Sequence, residues 1–348
     1  MPRSFLAFGL VTLFPLPLLL AGALFGGWAP WLALAYVTVV IAGVDALMPA
    51  MRYDGEAAEE DEATLLSQVL VAVHFVLLMV VIWSLSGGGP GLFSLSGLAL
   101  FLASALFFGQ VSAANAHELI HKTARPQQLM GRWVYISLLF GHHASAHLLV
   151  HHPRVATPDD PMTAELEESF YHFAPRAWLG SFIAARRIVH ADLERAGYAL
   201  WHPSNPFLSY IGGAFAMLVL MSLIGGVAGV ALYLLMAVAA QAQILASAYV
   251  QHYGLQRRQL NGGSYAPVNT THSWNAPHWL SSLWTLNSMR LSDHYAHPAR
   301  PFPQLDIPER GQAPMLPYAL PTMMGLALVP KLFFGVMNPH AIAWRNVT

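Results

Sequence analysis

Six apolar stretches dominate the chain, at about residues 5–25, 29–49, 65–85, 92–114, 206–224 and 227–250. Each is long enough to cross the roughly 30 Å hydrocarbon core of a bilayer as a helix. A backbone crossing lipid has to satisfy its own hydrogen bonds, so this pattern predicts an all-α integral membrane protein with a six-helix bundle. The connections near 26–28, 86–91 and 225–226 are short and rich in Gly or Pro, which pairs the stretches into three helical hairpins. The composition agrees: 55% of residues are hydrophobic and 10% charged, against about 25% charged in soluble domains. The first stretch exceeds a signal-peptide core and a second follows at once, so it is expected to be a retained span.

The basic residues set an expected orientation. None of the 17 Lys and Arg lies in the three short turns; they occur at Arg3, Arg52, within 122–195 and from Arg257 onward. Both termini and the long polar segments, 115–204 and 252–313, are therefore expected in the cytoplasm. The whole chain, 1–348, is expected to form a single membrane domain. An acidic loop over 53–63 is expected to be a solvated connector. Residues 129–150 are apolar enough to lie on the membrane or dip into it. The apolar segment 315–336 is interrupted by Pro317, Pro321 and Pro330 and is expected to be interfacial or re-entrant. A net charge of −1 and the lack of basic runs give no support for nucleic-acid binding.

Histidines crowd these polar segments. Seven fall between residues 117 and 152 and five between 252 and 297. His117 and His121 are four apart, as are His147 and His151, so on an α-helix each pair shares one face. His152 approaches from the adjacent direction, His142 and His143 lie just upstream, His252 follows the sixth stretch, and His294 and His297 close the set. Neutral imidazole is a metal ligand near pH 7, and so many beside a bilayer point to a metal centre with more than one ion. The chain has no cysteine, which excludes disulfides, thiolate-ligated haem, cysteine-ligated iron–sulfur clusters and Cys-type zinc sites. Iron, zinc or copper would suit the nitrogen-rich set. The string His117-Glu118-x-x-His121 also fits a zinc hydrolase with Glu118 as general base. A non-catalytic metal-storage or sensor role is a further alternative. Asp293 and Glu118 are placed to orient ligating imidazoles. Trp28, Trp31, Phe107 and Phe108 are candidate walls of a substrate tunnel. His74, His172, His190, His202 and His340 are read as hydrogen-bonded side chains outside the centre.

Five strings together resemble the membrane alkane 1-monooxygenases, within the wider fatty-acid desaturase and hydroxylase group. They are Asn115-Ala-His-Glu-Leu-Ile-His-Lys122, His147-Leu-Leu-Val-His-His-Pro-Arg-Val-Ala-Thr-Pro-Asp-Asp-Pro161, Tyr249-Val-Gln-His-Tyr-Gly-Leu255, His272-Ser-Trp-Asn275 and Ser292-Asp-His-Tyr-Ala-His-Pro-Ala-Arg300. The resemblance implies a non-haem centre of two Fe, with His117, His121, His147, His151, His152, His252 and His294 as the seven expected ligands by position, and O₂-dependent hydroxylation of a terminal methyl group. It implies a bacterial inner membrane location and electrons from a separate rubredoxin, reduced by rubredoxin reductase. A desaturase-type lipid oxidase on the same scaffold is the alternative. The last box departs from the family's His-Ser-Asp-His-His, reading Leu291-Ser-Asp-His294-Tyr295. Ala146, Val150 and Gln251 stand where the family has Glu, Gly and Glu. Two of the family's imidazoles are thus absent, and His297, His278, His142 and Tyr295 are the further candidates for the vacated positions.

Overall fold

The computed structural model describes residues 5–48, 59–309 and 311–345. Arg3, Arg52 and most of the acidic loop lie outside the described residues. All regular structure described is helical, apart from two isolated bridges between single residue pairs. Among the described residues, five helices are long and apolar enough to cross a membrane: α1 (Phe5–Phe25), α2 (Ala29–Leu47), α3 (Glu60–Gly88), α4 (Leu95–Ile120) and α8 (Pro206–His252). Between and after them come α5 (Arg125–Ser137), α6 (His142–Ala146), α7 (Phe170–Arg195), α9 (Trp279–Trp284), α10 (Leu291–Ala296), α11 (Leu320–Ala327) and α12 (Pro330–Arg345).

The 47 residues of α8 are not one rod. Gly226 has φ 60° and ψ −148°, a backbone region essentially restricted to glycine. A Cβ on Gly229 would fall 2.5 Å from the Met221 carbonyl oxygen. In a straight helix eight residues span about 12 Å, so the chain folds back at Gly226. Both arms then reach the stretch 138–145: Tyr210 Oη meets Ser145 Oγ at 2.7 Å, and Gln241 Nε2 donates to the Leu138 carbonyl at 2.7 Å.

The three tight connections gather at one end. A Cβ on Gly89 would lie 2.5 Å from the Ala23 carbonyl oxygen, and one on Gly225 would lie 2.3 Å from Ser86 Oγ. The capping there is local: Ser94 Oγ accepts from Gly97 N at 2.9 Å and starts α4. Large side chains such as Leu6, Phe25, Trp28, Phe215 and Leu223 remain exposed on the outer faces, as expected of an integral membrane protein whose helices meet lipid.

The opposite end carries the polar segments. Lys122, just after α4, pairs with Glu118 at 2.9 Å and with Glu60 at 3.7 Å. Asp45 near the end of α2 accepts from the backbone N–H groups of Leu280 and Ser281 at 2.7 and 3.1 Å, fixing the start of α9. In the stretch 129–150, α5 turns back along α4, and Tyr135 Oη donates to the Ala113 carbonyl. Residues 315–336 contribute to α11 and α12, of 8 and 16 residues. Both are shorter than the roughly 20 residues a spanning helix needs.

Candidate metal centre

Five histidines converge at the polar end. His117 and His121 come from the end of α4, His147 and His152 from the segment after α6, and His294 from α10. One ligand nitrogen from each lies within 4.8 Å of all the others. His147 sits at the middle: its Nε2 is 2.8 Å from Nε2 of His117, 3.0 Å from that of His121 and 3.0 Å from that of His152. His294 Nε2 lies 3.3 Å from His152 Nε2. One imidazole nitrogen is either a single donor or a single acceptor. It cannot satisfy three neighbouring nitrogens by hydrogen bonds. A central cation with metal–nitrogen distances near 2.0–2.1 Å can. The residues present therefore fit a metal ion.

Electrostatics favour the ligating form. Burial first, and then the neighbouring imidazoles, hold His121, His147, His152 and His294 below the usual imidazole range. They are neutral at pH 7, with lone pairs available.

His151 and His252 form a second, adjacent group. Their ring centroids are 4.8 Å apart, and Tyr295 Oη lies 2.6 Å from His151 Nε2 and 3.4 Å from His252 Nε2. The structure thus divides the seven expected ligands. The sequence reading put His147 and His151 on one face. Residues His147–His151 instead form a turn of π-helix, whose hydrogen bonds join each residue to the fifth one on. His152, five residues on, meets His147 edge to face with the two Nε2 atoms 3.0 Å apart, while His151, its ring 5.2 Å from that of His147, turns its Nε2 toward Tyr295. Such π turns occur frequently at functional sites, and α4 carries another at Phe108–Ser112, just before His117.

Two positioning residues escaped the sequence reading. Asp160 is buried and accepts from His151 Nδ1 at 2.8 Å, from Thr163 Oγ1 at 2.7 Å and from Met162 N at 3.1 Å. Burial alone would push its carboxyl up, but His151 and the Thr163 hydroxyl outweigh this and hold it below the usual range. Asn275 bonds Ser292 twice, through Ser292 N at 3.0 Å and Ser292 Oγ at 2.7 Å, and so docks α10. Both residues lie inside strings that had drawn attention only for their histidines. Gly254 turns the chain just after His252 with φ 70°, where a Cβ would also meet Ala341 at 2.9 Å.

Other expected residues sit elsewhere. Asp293 accepts from His297 Nδ1 at 3.0 Å and from Arg300 Nη1 at 2.7 Å, and makes no bond to His294. His297 is therefore engaged at the surface and outside the cluster. His278 precedes α9, and His142 packs on Trp178 and Phe182. Its neighbour His143 faces the cavity, with its ring 5.7 Å from that of His147. Glu118 is taken up by Lys122 and the Phe302 N–H, which removes the free base a zinc hydrolase needs. His74 bonds Ser137 Oγ at 2.7 Å.

A cavity with about 740 Å³ of atom-free space, partly open to solvent, reaches this centre. His117, His147, His151 and Tyr295 form one wall; Gly109, Ala113, Ile244, Ala248, Leu320 and Met324 form much of the rest. The four aromatics expected to line a tunnel are not among its lining residues. Trp28 is 81% and Trp31 37% exposed, because the tight turn before α2 places them on the outer face. Phe107 and Phe108 are buried in edge-to-face contacts with Trp284 and His74.

The arrangement is that of a membrane-embedded histidine-box oxidoreductase, and sequence comparison agrees. Residues 92–326 match the fatty acid desaturase family, and the chain belongs to it. Within that family it is homologous to alkane 1-monooxygenases. It is 32% identical to that of Ectopseudomonas oleovorans over 283 residues, 81% of this chain and 69% of the relative. It is 29% identical to alkane 1-monooxygenase 1 of Alcanivorax borkumensis over 332 residues, 92% of this chain and 80% of the relative. The xylene/toluene monooxygenase hydroxylase component of Pseudomonas putida is 25% identical over 70% of this chain and 64% of its own length. The homology makes this chain an oxidoreductase of the alkane 1-monooxygenase kind.

Proposed function

We propose that this protein is a non-haem di-iron membrane monooxygenase that hydroxylates the terminal methyl group of alkanes or similar lipophilic chains with O₂. The observation that carries the reading is the cavity, whose one wall is the histidine centre and whose other walls are largely apolar residues of α4, α8 and α11, with Gln110, Ser247 and Gln251 among them. Two iron ions, when bound, supply the activation of O₂ and the oxidising power for C–H cleavage.

The chain's own residues do the rest. His117, His121, His147, His152 and His294 would hold one ion, and His151 and His252 the other. Asp160 fixes the ring of His151 and leaves its Nε2 facing inward, as carboxylates behind ligating imidazoles do. The apolar part of the lining would hold a hydrocarbon chain with one end toward His117 and His147. Gln110 stiffens this wall by accepting from Trp284 Nε1 at 2.7 Å and donating to Gln243 at 3.1 Å.

The fold-back at Gly226 supports six crossings rather than five; the distribution of Lys and Arg is the basis for placing the termini and the metal centre on the cytoplasmic side of a bacterial inner membrane. Electrons would arrive from rubredoxin and its reductase as separate proteins. The test is turnover of an alkane panel by purified protein in lipid with rubredoxin, reductase and O₂. A primary alcohol is expected. An alkene would move the reading to a desaturase-type lipid oxidase, and a protein holding zinc and no iron would overturn it.

A further inference from the structure

We infer that Tyr295 is itself a metal ligand, so that the second ion, on the di-iron reading above, sits in a His151–His252–Tyr295 site with a phenolate oxygen where an imidazole would otherwise be needed. The argument begins with convergence. Three donor atoms from three separate elements point at one place: His151 from the π turn, His252 from the end of α8 and Tyr295 from α10. Tyr295 Oη is within 2.6 Å of one imidazole nitrogen and 3.4 Å of the other. Asp160 accepts a 2.8 Å hydrogen bond from His151 Nδ1–H, which leaves Nε2 as the lone-pair nitrogen on the side of Tyr295.

The phenol is held there by its surroundings. Leu291 and Val155 pack with Tyr295 in a small buried cluster, and Leu291 supplies no donor of its own. Two adjacent residues of α10 serve the two groups: His294 enters the five-histidine cluster and Tyr295 the second group. The other tyrosine on the cavity wall, Tyr135, is committed to the Ala113 carbonyl.

Binding is an exchange. The phenol O–H bond breaks, an oxygen–metal bond forms and the proton leaves to solvent, as in other metal sites whose ligands must deprotonate. The consequence is an asymmetric pair. Five neutral nitrogens surround one position, and a hard anionic oxygen marks the other and favours the ferric state there.

The test is optical. The full-length protein is loaded anaerobically with Fe(II), oxidised with air and examined by visible absorption and resonance Raman spectroscopy. A tyrosinate-to-iron(III) charge-transfer band with enhanced phenolate ring modes is expected. Tyr295→Phe should lose the band and one iron per chain while keeping the iron of the five-histidine cluster, which also reports an intact fold. Tyr295→His should lose the band and keep both irons. A ferric wild type without the band, or a Tyr295→Phe protein that retains it, overturns the inference. A wild type that oxidises hydrocarbons without showing the band defeats this inference alone. A wild type that binds no iron defeats the di-iron reading with it.

Discussion

The two halves of the centre are built from neighbouring residues by opposite strategies. The five-histidine group is made entirely of neutral imidazoles, packed so closely that His147 alone touches three of them. The second group has two imidazoles and a phenol, and it leans on a buried carboxylate: Asp160 receives three hydrogen bonds and orients His151. One half relies on the number of ligands and the other on the placement of a few. The first should tolerate loss of a peripheral ligand and fail at its centre. The second should be sensitive to residues that never touch the metal.

The largest effect is expected at the centre of the first group. His147→Ala removes the nitrogen that the other imidazoles surround, and should cost the cluster its metal and lower hydrocarbon oxidation by more than about 100-fold, beyond the roughly 10–100-fold usual for supporting residues. Iron content and turnover of the purified variant check this. Near-normal iron with near-normal turnover would show that the five nitrogens do not act as one site.

The division between the halves was only partly legible in the sequence. Helix number and pairing could be read because apolar length and Gly/Pro turns are local signals. Gly226 is where the reading placed the last turn, and the structure reverses there. The histidines were visible as residues, but their partition was not. The α-helical rule of four-residue spacing joins His147 to His151, and only the π turn joins His147 to His152. Nothing in the five-letter string His147-Leu-Leu-Val-His151 announces that extra residue per turn. Asp160 and Asn275 were hidden for another reason: each acts across the fold, on His151 and on α10, through contacts that sequence spacing does not encode. Trp28 and Trp31 misled because aromatic character marks lipid-facing and cavity-lining positions alike.

The next effect sharpens the contrast from the other side. Asp160→Asn keeps the shape but removes the charge that fixes the His151 Nδ1 proton. It should weaken metal binding in the second group by roughly 10–100-fold and leave the five-histidine group loaded. Metal titration resolved into two phases measures both halves at once. Equal weakening of both phases would mean that the two groups are one cooperative site and that the distinction drawn from geometry is false.

The smallest effect concerns the metal-free protein and acid. His121, His147, His152 and His294 are held below the usual imidazole range, chiefly by burial and then by one another. His142, buried against Trp178, is lowered to about 4. A group whose folded value is depressed binds fewer protons folded than unfolded once the pH drops below its unfolded value, near 6.5 for histidine. Stability therefore falls as the pH goes from about 6.5 downward, and the loss levels off only below the folded values. The lowered carboxyl of Asp160 acts in the same direction, but only from its unfolded value near 4 downward, so it adds little to the loss between about pH 6.5 and 5. Metal-free protein in detergent should melt at progressively lower temperature across that interval. Metal-loaded protein should hold its melting temperature until protons displace the ions. An unchanged or rising melting temperature for the metal-free form between pH 7 and 5 would mean that the imidazoles are solvated rather than packed against one another, and the contrast between a crowded half and a supported half would fall with it.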